Sequence, residues 1–165
     1  YIIGSKLIKM KILILFTGKN KNKFFEQEIA KYLNQIKKYI KIEIEEIYQK
    51  KSKKNINFEI QKKNEAELIK SKIKSENYII ILSEQGQEMS SIKFSNHIQK
   101  IMNKSLKKLV FIIGGPYGFH ESIISNYKNK ISLSKMTFSH KLIRLFLLEQ
   151  IYRALSILNN DPYHH

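Results

Sequence analysis

The chain has 165 residues, 42% of them hydrophobic, and thirty basic against fourteen acidic side chains give a net charge of +16. The length suits one domain with a real core. The absence of cysteine excludes disulfides and thiolate metal sites and fits a reducing cytoplasm, and the longest apolar runs fall far short of the about 20 helical residues that span a bilayer. The charge favours a polyanionic partner such as RNA, because each neutralised phosphate releases counterions. Twenty-eight of the thirty cations are Lys, and Ile outnumbers Ala by 29 to 3, so compositional drift competes with binding as its origin.

Residues 1–9 contain neither a long apolar stretch nor a small-residue cleavage site, so they read as an upstream extension or added leader, not a signal peptide. Residues 10–16 (MKILILF) are continuously apolar and close at Thr17-Gly18, which predicts a strand buried on both faces. Phe24, Phe25, Ile29, Tyr32, Leu33 and Ile36 recur at helical spacing, and Ile40, Ile42, Ile44 and Ile47 alternate mostly with charge as a second strand. A lysine-dense loop over 50–55 precedes a helix over 56–74. A second buried strand is expected over 78–82, and Ser90-Ser91 can cap a helix over 92–103. The run LVFII at 109–113 predicts a third buried strand. A helix over 121–129, a short strand over 131–133 and a final helix over 140–158 complete the pattern. Alternating strands and helices predict a single α/β domain over 10–165, with a parallel-type sheet flanked by helices.

In such a sheet, ligands bind beyond the carboxyl ends of the strands. Three segments leave a strand at that edge: Leu82-Ser83-Glu84-Gln85-Gly86, Gly114-Gly115-Pro116-Tyr117-Gly118, and 134–140. None ends in the Gly-Lys-Ser/Thr of a phosphate cradle, and none fits the dinucleotide fingerprint. A GGPxG loop alone is also what a tight turn uses. No metal site is expected.

Taken together, Ile113-Gly114-Gly115-Pro116 with Gly118, Leu133-Ser134-Lys135-Met136-Thr137 with His140, Arg144 with Glu149-Gln150-Ile151-Tyr152-Arg153-Ala154, and the terminal Pro162-Tyr163-His164 resemble the RlmH family of SPOUT-class RNA methyltransferases. The likeness is most specific over 110–165 and reaches back more loosely to Met10. It implies methylation of N3 of a pseudouridine in large-subunit ribosomal RNA by S-adenosylmethionine, in a cytoplasmic homodimer whose C-terminal region, about 110–165, forms a deep trefoil knot. Carried over by position, the cofactor contacts are Leu82, Gly114, Leu133, Ser134, Lys135, Met136, Thr137 and Phe138. The family often has an acidic residue after the position of Leu82 and a Lys after that of Gly86; here these are Ser83 and Gln87.

Methyl transfer to an imide nitrogen requires alignment and either a base or stabilisation of a developing anion. Arg144 is the expected charge-stabilising residue, and His140, Tyr163 and His164 are candidates for the base or its helpers, since His titrates near neutrality. The bland readings are specific too: His140 as a cap or surface residue, Arg153 paired with Glu149 four residues earlier, and Phe146, Leu147 and Tyr152 as core or dimer packing. Two alternatives share the fold: a basic ribosome-binding protein without activity, and a methyltransferase acting on transfer RNA.

Overall fold

The computed structural model describes residues 10–18, 22–47, 57–104 and 106–162. The leader at 1–9, the lysine-dense loop at 50–55, Tyr163 and His164 lie outside the described residues. In chain order the elements are β1 (Lys11–Thr17), α1 (Lys23–Ile36), β2 (Lys41–Ile47), α2 (Phe58–Lys72), β3 (Tyr78–Glu88), α3 (Ser91–Met102), β4 (Lys108–Ile113), α4 (Glu121–Ile124), β5 (Lys130–Ser132) and α5 (His140–Leu158). The five strands form one sheet in the order β2-β1-β4-β3-β5, and every pairing is parallel.

The apolar strands are continuous because both faces are covered. Ile12, Ile14, Phe16, Leu109, Phe111 and Ile113 face a core shared with α1, α3 and α5, whose Ile36, Phe94, Ile98, Leu147, Leu148 and Ile151 are all buried. Leu13, Leu15, Val110 and Ile112 face the other way, onto Ala66 and Ile69 of α2 and Ile123 of α4. The alternation is the period-two geometry of a strand, with each set of side chains meeting its own helical layer. α5 packs against both α1 and α3.

Helix starts follow local capping. Asn22, Asn57, Ser90 and Ser139 each accept a backbone N–H from the first turn that follows, which satisfies donors the helix leaves open. The helix expected over 121–129 stops at Ile124. Ser125 Oγ donates to Glu121 O at 2.9 Å and Asn126 Nδ2 to Ser122 O at 2.7 Å, side-chain bonds that compete with helical continuation.

β3 runs past the expected 82 because it pairs with β5 twice. Ile131 lies opposite Leu82 and again opposite Gln87, and residues 83–86 loop out between the two pairings. Gly86 sits so close to β5 that a Cβ there would lie 2.4 Å from the Ile131 carbonyl carbon and 2.6 Å from its nitrogen. No helix among the described residues is long and apolar enough to cross a membrane.

Candidate active site

The carboxyl ends of β3, β4 and β5 open into a cleft of about 510 Å³, within the usual range for a small-molecule site. Its walls come from three chain segments that are distant in sequence: 82–85, 113–119 and 131–140, with Ile124 and Ile143 behind them. Leu82, Gly114, Leu133, Ser134, Met136, Thr137, Phe138 and His140 all line it. The eighth expected cofactor residue, Lys135, does not: its ammonium lies 3.9 Å from Glu88 and the side chain is 86% exposed.

Local chemistry shapes each wall. After β4 the chain turns sharply: Gly118 N donates to Gly115 O at 3.0 Å, and Gly118 holds φ +73°, a left-handed value that favours glycine. After β5, Ser132 Oγ donates to Ser134 O at 2.8 Å, and the Ser134 hydroxyl accepts Met136 N–H at 2.9 Å. These bonds curl the 133–137 segment back over the strand ends. Phe138 meets Phe146 edge-on at 5.1 Å, which ties the end of that loop to α5. The lining therefore mixes apolar side chains (Leu82, Ile113, Phe119, Ile131, Leu133, Phe138) with serine and threonine hydroxyls and glycine backbone. Glu84 adds a carboxylate to the wall.

His140 is the first residue of α5, half-buried against the cleft. Burial holds its pKa below the ordinary 6.5, helped by the positive charges of Arg144 and Lys141, so the ring is neutral near pH 7 and able to accept a proton.

Arg144 is one turn further along α5, and the structure does not bring it to the cleft wall. It is 2% exposed, its guanidinium carbon is 3.3 Å from the centre of the Phe16 ring, and its Nη2 donates to Thr17 O at 3.0 Å and Gly18 O at 3.5 Å. The helical turn that directs His140 to the cleft carries Arg144 inward onto the end of β1. Its Nε and Nη1 find no hydrogen-bond partner among the described residues. Burial lowers its pKa to about 10, with the carboxylate of Glu46 opposing the shift, so it stays cationic at neutral pH. Such a group ties α5 to the sheet from behind the cleft. Arg153 pairs with Glu149 through Nε at 2.8 Å and Nη2 at 2.6 Å, the ion pair its spacing suggests, and Tyr152 packs against Tyr32 and Tyr39.

Sequence reasoning passed over two features. Tyr117 lines the cleft yet is 47% exposed. Tyr39 donates its hydroxyl proton to Asp161, fastening the chain just ahead of its last residues. Nothing in local sequence spacing signals a contact spanning 122 positions.

The profile of predicted SPOUT methyltransferases matches residues 10–164. Proteins named ribosomal RNA large subunit methyltransferase H are 47% identical in Christiangramia forsetii and 46% in Parabacteroides distasonis; each comparison covers 94% of this chain and 99% of the relative. Among solved structures, a methylase family protein of Neisseria gonorrhoeae superposes with a TM-score of 0.52 at 9% identity, over 88% of this chain and 83% of the other. One from Haemophilus influenzae gives 0.50 at 11% identity, over 94% and 69%. At these identities the superpositions speak to the fold alone.

Proposed function

The chain belongs to the SPOUT methyltransferase family, and from that premise we propose that it methylates large-subunit ribosomal RNA, at N3 of a pseudouridine, with S-adenosylmethionine as donor. The observation that carries the reading is the convergence of Leu82, Gly114, Leu133, Ser134, Met136, Thr137 and Phe138 on one cleft at the strand ends. These residues fit the donor chemically: apolar side chains suit its uncharged parts, loop backbone amides and carbonyls suit an adenine edge, and the Glu84 carboxylate suits a cation. When bound, the donor supplies an electrophilic methyl group on a sulfonium.

The protein's part is alignment, exclusion of water and management of one proton. His140, kept neutral by its surroundings, accepts the imide proton or relays it, and Tyr163 and His164 act from the substrate side. Arg144, outside the cleft lining and bonded to the end of β1, acts as a positioning residue that also supplies positive potential from behind the wall. We further infer a homodimer with a C-terminal trefoil knot, working in the cytoplasm where ribosomes are made. Phe146, 36% exposed beside Phe138 on α5, and Met136, 71% exposed, support an apolar contact between copies.

The test has two parts. Calorimetry with S-adenosylmethionine should show saturable binding, and labelled methyl groups should pass to ribosomes lacking the modification in preference to transfer RNA. A folded protein that binds no donor would overturn the proposal in favour of a non-catalytic ribosome-binding role. Transfer to transfer RNA alone would overturn the substrate.

A further inference from the structure

Two aromatic rings beside the cleft have no role in the fold that accounts for their exposure. Phe58, the first residue of α2, is 56% exposed, and Tyr117, in the turn after β4, is 47% exposed. Their ring centroids are 4.2 Å apart with planes inclined by 35°, a nearly stacked pair. Tyr117 is also a wall of the cleft, whereas Phe58 is not. The pair therefore runs from the mouth of the site outwards over the surface. Large apolar rings left in water are costly, and contiguous ones usually mark a binding surface.

We propose that Phe58 and Tyr117 form a platform on which an unpaired base of the RNA substrate stacks while a neighbouring nucleotide is presented at the mouth of the donor cleft. This rests on the RNA-methylating function proposed above. Three features favour a base over an apolar protein segment. The chain carries +16, a charge that favours a polyanionic partner. The two rings already pack face to face at 4.2 Å, and a further flat ring can extend such a stack on an outer face, the mode used for single-stranded RNA. The platform is continuous with the cleft through Tyr117, where a splayed-out nucleotide next to the target would come to rest. Stacking is tolerant of base identity, so the pair contributes affinity and orientation, with little sequence discrimination.

Phe58 gives the clean test, because it is exposed, outside the cleft and at the start of its helix. Phe58→Ala should weaken binding of a ribosomal RNA fragment by roughly five- to 150-fold, the range expected for loss of one base–aromatic stack. The affinity for S-adenosylmethionine should stay within about twofold, and the slope of RNA affinity against salt should not change, since no phosphate contact is lost. Phe58→Leu, which keeps apolar area without a π face, should behave like the Ala variant. RNA affinity unchanged in Phe58→Ala would overturn the platform, as would full recovery in Phe58→Leu, which would mean plain apolar contact of the kind a protein partner makes. A wild-type protein that transfers no methyl group to RNA would instead overturn the function on which the platform rests, so the two failures are distinct.

Discussion

Replacing Gly86 by Ala should loosen the cofactor cleft without changing the identity of any residue that lines it. The added Cβ would lie 2.4, 2.6 and 2.7 Å from the C, N and Cα atoms of Ile131. All three are backbone, so no rotamer change can relieve the clash. Reaching an ordinary 3.4 Å contact moves β5 away from β3 by about 1 Å. Overpacking of this kind costs about 1–3 kcal/mol, and an unyielding neighbour puts the cost in the upper half of that range. For a domain of this size, 2–3 kcal/mol lowers Tm by about 4–12 °C. The functional loss should be larger, because Ile131 leads directly into 133–138, and a displacement near 1 Å can cost about a hundredfold in rate. Calorimetric titration with S-adenosylmethionine alongside thermal melts checks both arms. Gly118→Ala separates clash from backbone strain: no atom lies within 4 Å of its Cβ position, but φ is +73°, so about 1–2 kcal/mol is expected from strain alone. A Gly86→Ala protein that melts within about 1 °C of wild type and binds the donor equally well would refute the reasoning.

Three further outcomes follow from other contacts. Arg144→Ala removes a charge-assisted hydrogen bond to Thr17 O and the contact with Phe16; urea melts should show a loss of about 2–4 kcal/mol, and a smaller loss for Arg144→Met, which keeps apolar bulk without a buried charge. If Arg144→Ala is as stable as wild type, the guanidinium is not a tie between α5 and β1. His140 has a depressed pKa, so its contribution to stability is present above the unfolded value near 6.5 and is lost as pH falls through the folded value; His140→Gln should flatten the acid side of the urea midpoint against pH. If His140 also accepts the proton, the acid limb of kcat/KM lies below pH 6.5, and a limb at or above 7 would exclude it. Tyr39 is pushed up to about 12 by burial and by Asp161, so its contribution is present below pH 10 and fades between 10 and 12. Tyr39→Phe should cost about 1 kcal/mol, abolish that alkaline loss and lower RNA methylation more than donor binding, which kinetics with each substrate varied in turn would detect.

The strands were legible because burial on both faces leaves continuous apolar runs: MKILILF and LVFII announce β1 and β4 almost to the residue. Ser90 announced the start of α3 by its capping chemistry, whereas the cap of α5 is Ser139 and not His140, which is the first residue of the helix itself. The order β2-β1-β4-β3-β5 was not legible, since parallel strands carry no mark of their neighbours. The double pairing of Ile131 was hidden for the same reason, and with it the demand for glycine at 86. Within the site, position relative to the strand ends brought the three cleft segments under suspicion, and the family resemblance selected residues within them. Arg144 shows the limit of that approach. Helical spacing puts it one turn from His140, but only packing against Phe16 and the β1 carbonyls reveals that it turns inward.

The placement of α5 also sets an order of events during synthesis. The strand before it, β5, lies at one edge of the sheet, yet the helix packs on α1 and α3, and Leu147, Leu148, Ile151, Ala154 and Leu155 complete a core begun by Met10 and Ile12. That face cannot close until α5 has left the ribosome, and synthesis proceeds at about 5–20 residues per second. Contacts that span more than a hundred positions also form slowly, because loop closure precedes any reward from burial. A nascent chain ending before His140 therefore presents an open apolar trough between α1 and α3. Chaperone demand and aggregation during expression should track how quickly the last nineteen-residue helix arrives to fill it.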